Sequence, residues 1–143
     1  AETVILRLAN KLVAQDTVGI LATHLREGKG KPIDRVFAAA REGDLDTCHM
    51  LEKRAHYLGI ALANLVNTFN PELIVLGGIL AQGRDLLLPV AEETMRERSF
   101  ANLGQQVRLQ TATYGWRSGA VGAVALGLNE FFYRQPIIKR IIS

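Results

Sequence analysis

Two glycine-bearing segments hold the residue types and spacings in this chain that could do chemistry. The first is Leu76-Gly77-Gly78, which closes the continuous apolar run Leu73-Ile74-Val75-Leu76. Glycine has no Cβ, so the backbone of such a pair can lie close against a ligand. Ligands of open α/β sheets bind at the carboxyl ends of the strands, where this pair would sit. The same pair also makes a tight strand-to-helix connection, and its spacing is neither GxGxxG nor GxxxxGK[ST]. The second segment runs Gly115-Trp116-Arg117-Ser118-Gly119-Ala120-Val121-Gly122-Ala123. Small residues at a helix start permit close packing on a sheet, and the free N–H groups there favour anions. Helix-on-sheet packing and a tight connection account for each turn taken alone, and the two together in one chain add a nucleotide-type cleft as the alternative.

Other reactive side chains form no catalytic set. His49 and His56 are seven residues apart, with Cys48 beside the first, whereas helical metal pairs converge at separations of three or four. Asn64 and Asn67 fall in an apolar helical stretch and read as hydrogen-bonded core or interface groups. No Ser/His/Asp arrangement or paired carboxylate stands out. The chain carries 17 basic and 14 acidic residues, mostly interleaved, for a net charge of +3. That balance describes a solvated surface better than a nucleic-acid-binding one. A lone cysteine excludes an internal disulfide framework and fits a reducing compartment. No window has the roughly 18 consecutive apolar residues of a membrane span, and the opening residues carry no charged-then-apolar pattern, so no signal-peptide leader is expected.

The elements that must position these residues follow from periodicity. Helical spacing covers Thr3 to Val13, then Val18 to Leu25. A charged Gly/Pro loop leads into a short helix from Ile33 to Arg41 that Gly43 stops. Asp44 is placed to cap a long helix carrying Leu51, Ala55, Leu58, Leu62, Leu65 and Phe69, which Asn70-Pro71 ends. Its second half is apolar nearly all round and is expected to be buried on several sides. Leu73 to Leu76 reads as a central strand covered on both faces. A helix from Leu87 to Arg98 carries Pro89 in its first turn, Glu92 and Glu93 early and Arg96 and Arg98 late, in accord with the helix dipole. Gln106 to Thr111 alternates as a strand with one wet face near a sheet edge. A final helix spans Ser118 to Phe132, followed by an amphipathic tail through Ile137, Ile138, Ile141 and Ile142. Two strands make no stable sheet alone, so further strands are expected from other chain or from a partner. A start at Ala1 without Met fits the same expectation of a piece of a longer protein.

The stretch Ala61-Leu62-Ala63-Asn64-Leu65-Val66-Asn67-Thr68-Phe69-Asn70-Pro71-Glu72-Leu73-Ile74-Val75-Leu76-Gly77-Gly78 closely resembles the helix-strand-turn signature of ROK proteins (repressors, open reading frames and sugar kinases). Val36 to Asp44 is similar to the family's segment ahead of that helix, and Ser118 to Ala123 resembles its last conserved helix. The resemblance covers about residues 33 to 132. It implies an α/β fold, the C-terminal lobe of an actin-like (ribonuclease H-like) ATPase, helix-rich with a partial sheet. Residues 1 to 143 would then be a single such lobe, lacking an N-terminal DNA-binding part and the first lobe. In family kinases Gly77, Gly78 and the turn before Gly119 would border the nucleotide.

The family's catalytic Asp, phosphate loop and Cys-rich zinc motif would all lie upstream. No cofactor is therefore expected in this piece, zinc and ATP belong to the complete protein, and phosphoryl transfer by the piece is unsupported. The extension from Asn129 to Pro136 and the isoleucine-rich end resemble those of the transcriptional regulators. The resemblance thus implies a sugar-responsive cytoplasmic regulator that reaches DNA through its N-terminal domain, with a sugar kinase as the alternative. Apolar surface on the long helix and tail implies a homodimer or higher homo-oligomer, and no membrane partner is expected.

Overall fold

The computed structural model describes residues 2–113 and 118–129, the side chains of 118–121 excepted. The elements are α1 (Glu2–Gln15), α2 (Ile20–Glu27), α3 (Pro32–Arg41), α4 (Leu45–Phe69), β1 (Leu73–Leu76), α5 (Ile79–Gln82), α6 (Arg84–Arg98), α7 (Leu103–Gln106), β2 (Arg108–Thr111) and α8 (Ser118–Leu128).

Short-range polar chemistry sets the helix boundaries. The Asp16 carboxylate accepts hydrogen bonds from the N–H groups of Val18 and Gly19 at 3.1 and 3.0 Å, which turns the chain between α1 and α2. Pro32 stands at the start of α3, where its absent N–H has no partner to lose. Gly43 takes a φ of 97° that a side chain would strain. Asp44 then caps α4, one oxygen accepting from the Thr47 N–H at 2.8 Å, as the start of a helix favours. Its other oxygen accepts from the Leu21 N–H at 3.2 Å, so the same carboxylate also satisfies the start of α2. Burial works to raise the Asp44 carboxyl, but the hydrogen bonds from Thr47 and Leu21 overcome it and hold the group below its ordinary range. At the far end of α4, Asn70 is left-handed, with φ 43° and ψ 54°. Its N–H is bonded to the Val66 carbonyl, and Pro71 follows.

The buried residues fall in two clusters. One joins α1 to α4 and the start of α6 around Ile33, Val36, Phe37, Leu51 and Leu87. The other lies beneath the sheet, where Leu62, Ala63 and Val66 of α4 meet Ala91 and Met95 of α6, with Leu76 and Val107 above. α4 and α6 cross closely at Gly59: a Cβ built there would stand 2.5 Å from Thr94 Cβ and 2.6 Å from the Ala91 carbonyl oxygen. β1 and β2 pair in parallel, Leu73 opposite Arg108 and Leu76 opposite Thr111, through the crossover α5–α6–α7.

Three expectations require correction. The apolar run of β1 predicts cover on both faces, but only the side bearing Ile74 and Leu76 rests on α4 and α6. On the other side Leu73 is 40% and Val75 55% exposed, because no described element packs there. The second half of α4 is buried on one side rather than several, with Leu65 44% and Phe69 71% exposed. α6 begins at Arg84, so Pro89 stands inside the helix rather than in its first turn. Its missing N–H leaves the Asp85 carbonyl without the usual intrahelical partner, and Glu92 and Glu93 become mid-helix residues. Asp85 takes over as the acid of the first turn.

β2 begins two residues later than the alternation predicts, because Leu103 to Gln106 form a one-turn helix first. Its exposed Arg108 and Gln110 alternate with half-buried Leu109 and Thr111, which matches the reading of one wet face. Among the described residues no helix is long and apolar enough to cross a membrane.

Candidate functional site

The two strands end side by side. The Ala112 N–H donates to the Leu76 carbonyl at 2.8 Å, so Gly77 leaves β1 next to Ala112, at the carboxyl edge of the sheet. Among the described residues, a Cβ at Gly77 would meet only that of Ala112, at 3.9 Å, and one at Gly78 would meet nothing within 4 Å. No contact with the described residues requires either glycine. Gly78 has φ 64° and ψ −136°, a region that side-chain-bearing residues avoid, so the chain path itself requires glycine there. Gly77 has no such conformation and is solvent-exposed. The result is a bare stretch of backbone at the strand end, which no described residue covers on one flank and which can approach a ligand without a side chain between.

α5 is a single turn, with Ala81 N–H bonded to the Gly78 carbonyl at 3.2 Å and Gly83 N–H to the Ile79 carbonyl at 3.0 Å. What it gives the turn is a fixed backing. Gly83 lies against the Phe37 ring, where a Cβ would stand 2.6 Å from Cζ. Arg41 of α3 reaches across to hold the same corner: its guanidinium donates to both Asp85 oxygens at 2.7 Å and to the Gln82 carbonyl at 3.1 Å, a two-pronged contact of the stronger kind. The hydrogen bond with Arg41 holds the Asp85 carboxyl below its ordinary range, and the same bond raises Arg41. These anchors are not legible in the sequence. Arg41 and Asp85 are 44 residues apart, and nothing local to either marks the pairing.

Gly119 stands in the first turn of α8. The preceding Gly115-Trp116-Arg117 lies outside the described residues, as does the tail with Ile137, Ile138, Ile141 and Ile142. The expected convergence of Gly119 with Gly77 and Gly78 depends on that undescribed turn.

The remaining candidates have structural partners or lie in the open. Asn67 is hydrogen-bonded as expected, accepting from the Phe100 N–H at 2.8 Å and donating to the Arg98 carbonyl at 3.3 Å, which ties α4 to the end of α6. Asn64 is exposed. His56 Nδ1 is 3.1 Å from Thr94 Oγ1, and Cys48 Sγ donates to the Ala40 carbonyl at 3.3 Å. His49 is exposed, and among the described residues no group of three His, Cys, Asp or Glu side chains is arranged to hold a metal ion.

Similarity to known proteins runs along most of the chain. The glucokinase of Halalkalibacterium halodurans is 33% identical over 87 residues, 61% of this chain and 26% of that protein. The xylose repressor of Bacillus subtilis is 27% identical over 92 residues, 64% of this chain and 24% of the repressor. The DNA-binding transcriptional repressor Mlc of Escherichia coli is 25% identical over 116 residues, 81% of this chain and 28% of Mlc. The chain thus spans about a quarter of the length of these curated relatives.

Among solved structures, a ROK family transcriptional regulator homologous to E. coli Mlc superposes with a TM-score of 0.66 at 29% identity, over 78% of this chain and 27% of the regulator. A protein assigned as a sugar kinase from Cytophaga hutchinsonii gives 0.68 at 19% identity, over 87% of this chain and 40% of that one. The helix-rich α/β architecture with its small parallel sheet is that of the actin-like ATPase fold these neighbours share. The ROK family model matches residues 11–130, and the chain belongs to that family.

Proposed function

We propose that this chain is the ligand-sensing and dimerisation lobe, C-terminal in a longer protein, of a sugar-responsive transcriptional regulator of the cytoplasm. One observation carries the choice of regulator over kinase: the match to the repressor Mlc runs over 81% of the chain, against 61% for the glucokinase. In this reading a sugar occupies the cleft between this lobe and an N-terminal one. It binds one lobe arrangement more tightly than the other, and the shift in population alters the spacing of N-terminal DNA-reading heads. The backbone at Gly77 and Gly78 contributes the wall on this side, with Gly119 completing it.

The 33% identity to a glucokinase favours a second reading, a sugar kinase in which the same glycines border ATP. A bare strand end open on one flank suits a phosphate-bearing ligand, and the chain's own part would be positioning; zinc and the catalytic carboxylate would come from the remainder of the protein.

The two readings separate in the intact protein. DNA retention is measured with xylose, glucose or N-acetylglucosamine added, and sugar phosphate is assayed in parallel with ATP present. Release of DNA by one sugar without its phosphorylation supports the regulator. Turnover to a sugar phosphate with no DNA retention would overturn it in favour of the kinase.

A further inference from the structure

The turn before α2, α2 itself and the C-cap of α3 enclose an open groove of about 450 Å³. Val18 and Ile20 line it, 82% and 39% exposed, together with His24, Glu27 and Glu42. No Lys or Arg is among its lining residues. Glu42 meets His24 through Oε2 but stays 62% exposed. Among the described residues Glu27 has neither an ion-pair nor a hydrogen-bond partner. The cations nearest along the chain point elsewhere: Arg26 donates to the Ala22 and Thr17 carbonyls, and Arg35 to those of Leu25 and Gly30. Exposed aliphatic side chains beside uncompensated carboxylates suit an occupant that is both apolar and basic.

We propose that the chain's own tail docks in this groove, its isoleucines on Val18 and Ile20 and its bases on Glu27 and Glu42. Charge complementarity carries the assignment first. From Phe131 to Ser143 the tail holds Arg134, Lys139 and Arg140 and no acid, set among Ile137, Ile138, Ile141 and Ile142. The open side of β1 is the rival apolar surface, but there exposed Arg108 stands opposite Leu73 and would repel these bases. Reach is the second argument. Residues 130–143 follow Asn129 and can extend by at most about 50 Å. The 25 residues of α4, the longest element described, cover only ~38 Å. Tethering is the third: a segment joined to its site acts at an effective concentration of about millimolar, which favours it over the tail of a second copy. The docked tail would lie beside Arg41, the residue before Glu42, whose guanidinium anchors Gln82 and Asp85 behind the Gly77-Gly78 turn. The assignment does not depend on which sugar, if any, the cleft takes.

Disulfide trapping in the full chain tests it, with Cys48→Ser removing the native thiol and Val18→Cys and Ile138→Cys supplying the pair. Oxidised glutathione should close an intramolecular disulfide roughly tenfold or more faster than when Phe69→Cys, at the far end of α4, replaces Val18→Cys. Adding Glu27→Lys and Glu42→Lys should slow closure about tenfold, and adding Lys139→Glu and Arg140→Glu to those should restore it, as paired charges require. Circular dichroism confirms that each variant is folded, and Ile20→Cys replaces Val18→Cys if that variant is not. Equal rates at the two positions, a disulfide formed between two copies, or closure indifferent to the charge reversals overturns the proposal.

Discussion

Replacing Gly59 with alanine adds one methyl group where α4 crosses α6. The new carbon would lie 2.5 Å from Thr94 Cβ, 2.6 Å from the Ala91 carbonyl oxygen and 2.9 Å from Thr94 Cγ2. Carbon atoms rest at about 3.5–4.0 Å, so the helices must part by roughly 1 Å. Ala91 presents backbone, which cannot rotate aside, and α6 is held in both buried clusters through Leu87 and Met95. Two effects oppose each other. Alanine is the better helix former by ~0.8–1.0 kcal/mol, whereas overpacking costs ~1–3 kcal/mol and should reach the upper end against backbone. The net loss is about 2 kcal/mol, which lowers Tm by roughly 6–8 °C in a chain of this size. Thermal and urea unfolding followed by circular dichroism measure it. Gly122→Ala is the control, since a Cβ there meets nothing within 4 Å among the described residues, and it should not destabilise. A Gly59→Ala protein as stable as its parent would refute the reasoning, because helix propensity would then outweigh a contact the packing cannot relieve.

Asp44→Ala removes acceptors from both Thr47 and Leu21. It should cost about 2 kcal/mol in urea unfolding, while Asp44→Asn keeps a cap and should lose less. The depressed Asp85 carboxyl contributes stability that is present above its unfolded value of about 3.9 and lost as pH falls through the lower folded one. Both partners are about half exposed, so Asp85→Asn should cost only ~0.2–1 kcal/mol at neutral pH, with the difference fading in acid and in high salt. Asn70 holds a left-handed backbone. Asn70→Gly should therefore be neutral or stabilising by up to about 1 kcal/mol, and Asn70→Val should cost about 1–2 kcal/mol, both read from melting curves.

Much of the helical frame was legible because its signals are local. Asp44 before an apolar period of three to four, and Asn70-Pro71 after it, bound α4 to within a residue. The strand-Gly-Gly turn was equally readable, since the run from Leu73 to Leu76 is short, apolar and broken by glycine. What the sequence hid lies in contacts between distant segments. Gly59 reads as an ordinary weak helix residue until α6 is laid against it. Gly83 looks like a loop glycine, yet it makes room for the Phe37 ring. Apolar type also misjudged cover: Val75 and Phe69 are exposed although hydrophobic enough for a core. Hydrophobicity records a demand for burial and not the element that meets it.

Gly78 has φ 64° and ψ −136°. Reversing both signs gives its mirror image, an ordinary extended conformation for an L-residue. Handedness therefore separates the two glycines of the turn. At position 78 glycine is the achiral stand-in for a D-amino acid, and the chain would need it whether or not a ligand ever arrived. A D-alanine introduced there by chemical synthesis should adopt this backbone without conformational strain. Gly77 is under no such constraint, so its missing side chain is the informative one: L-alanine at 77 should leave folding intact, and any ligand it displaces must approach that face.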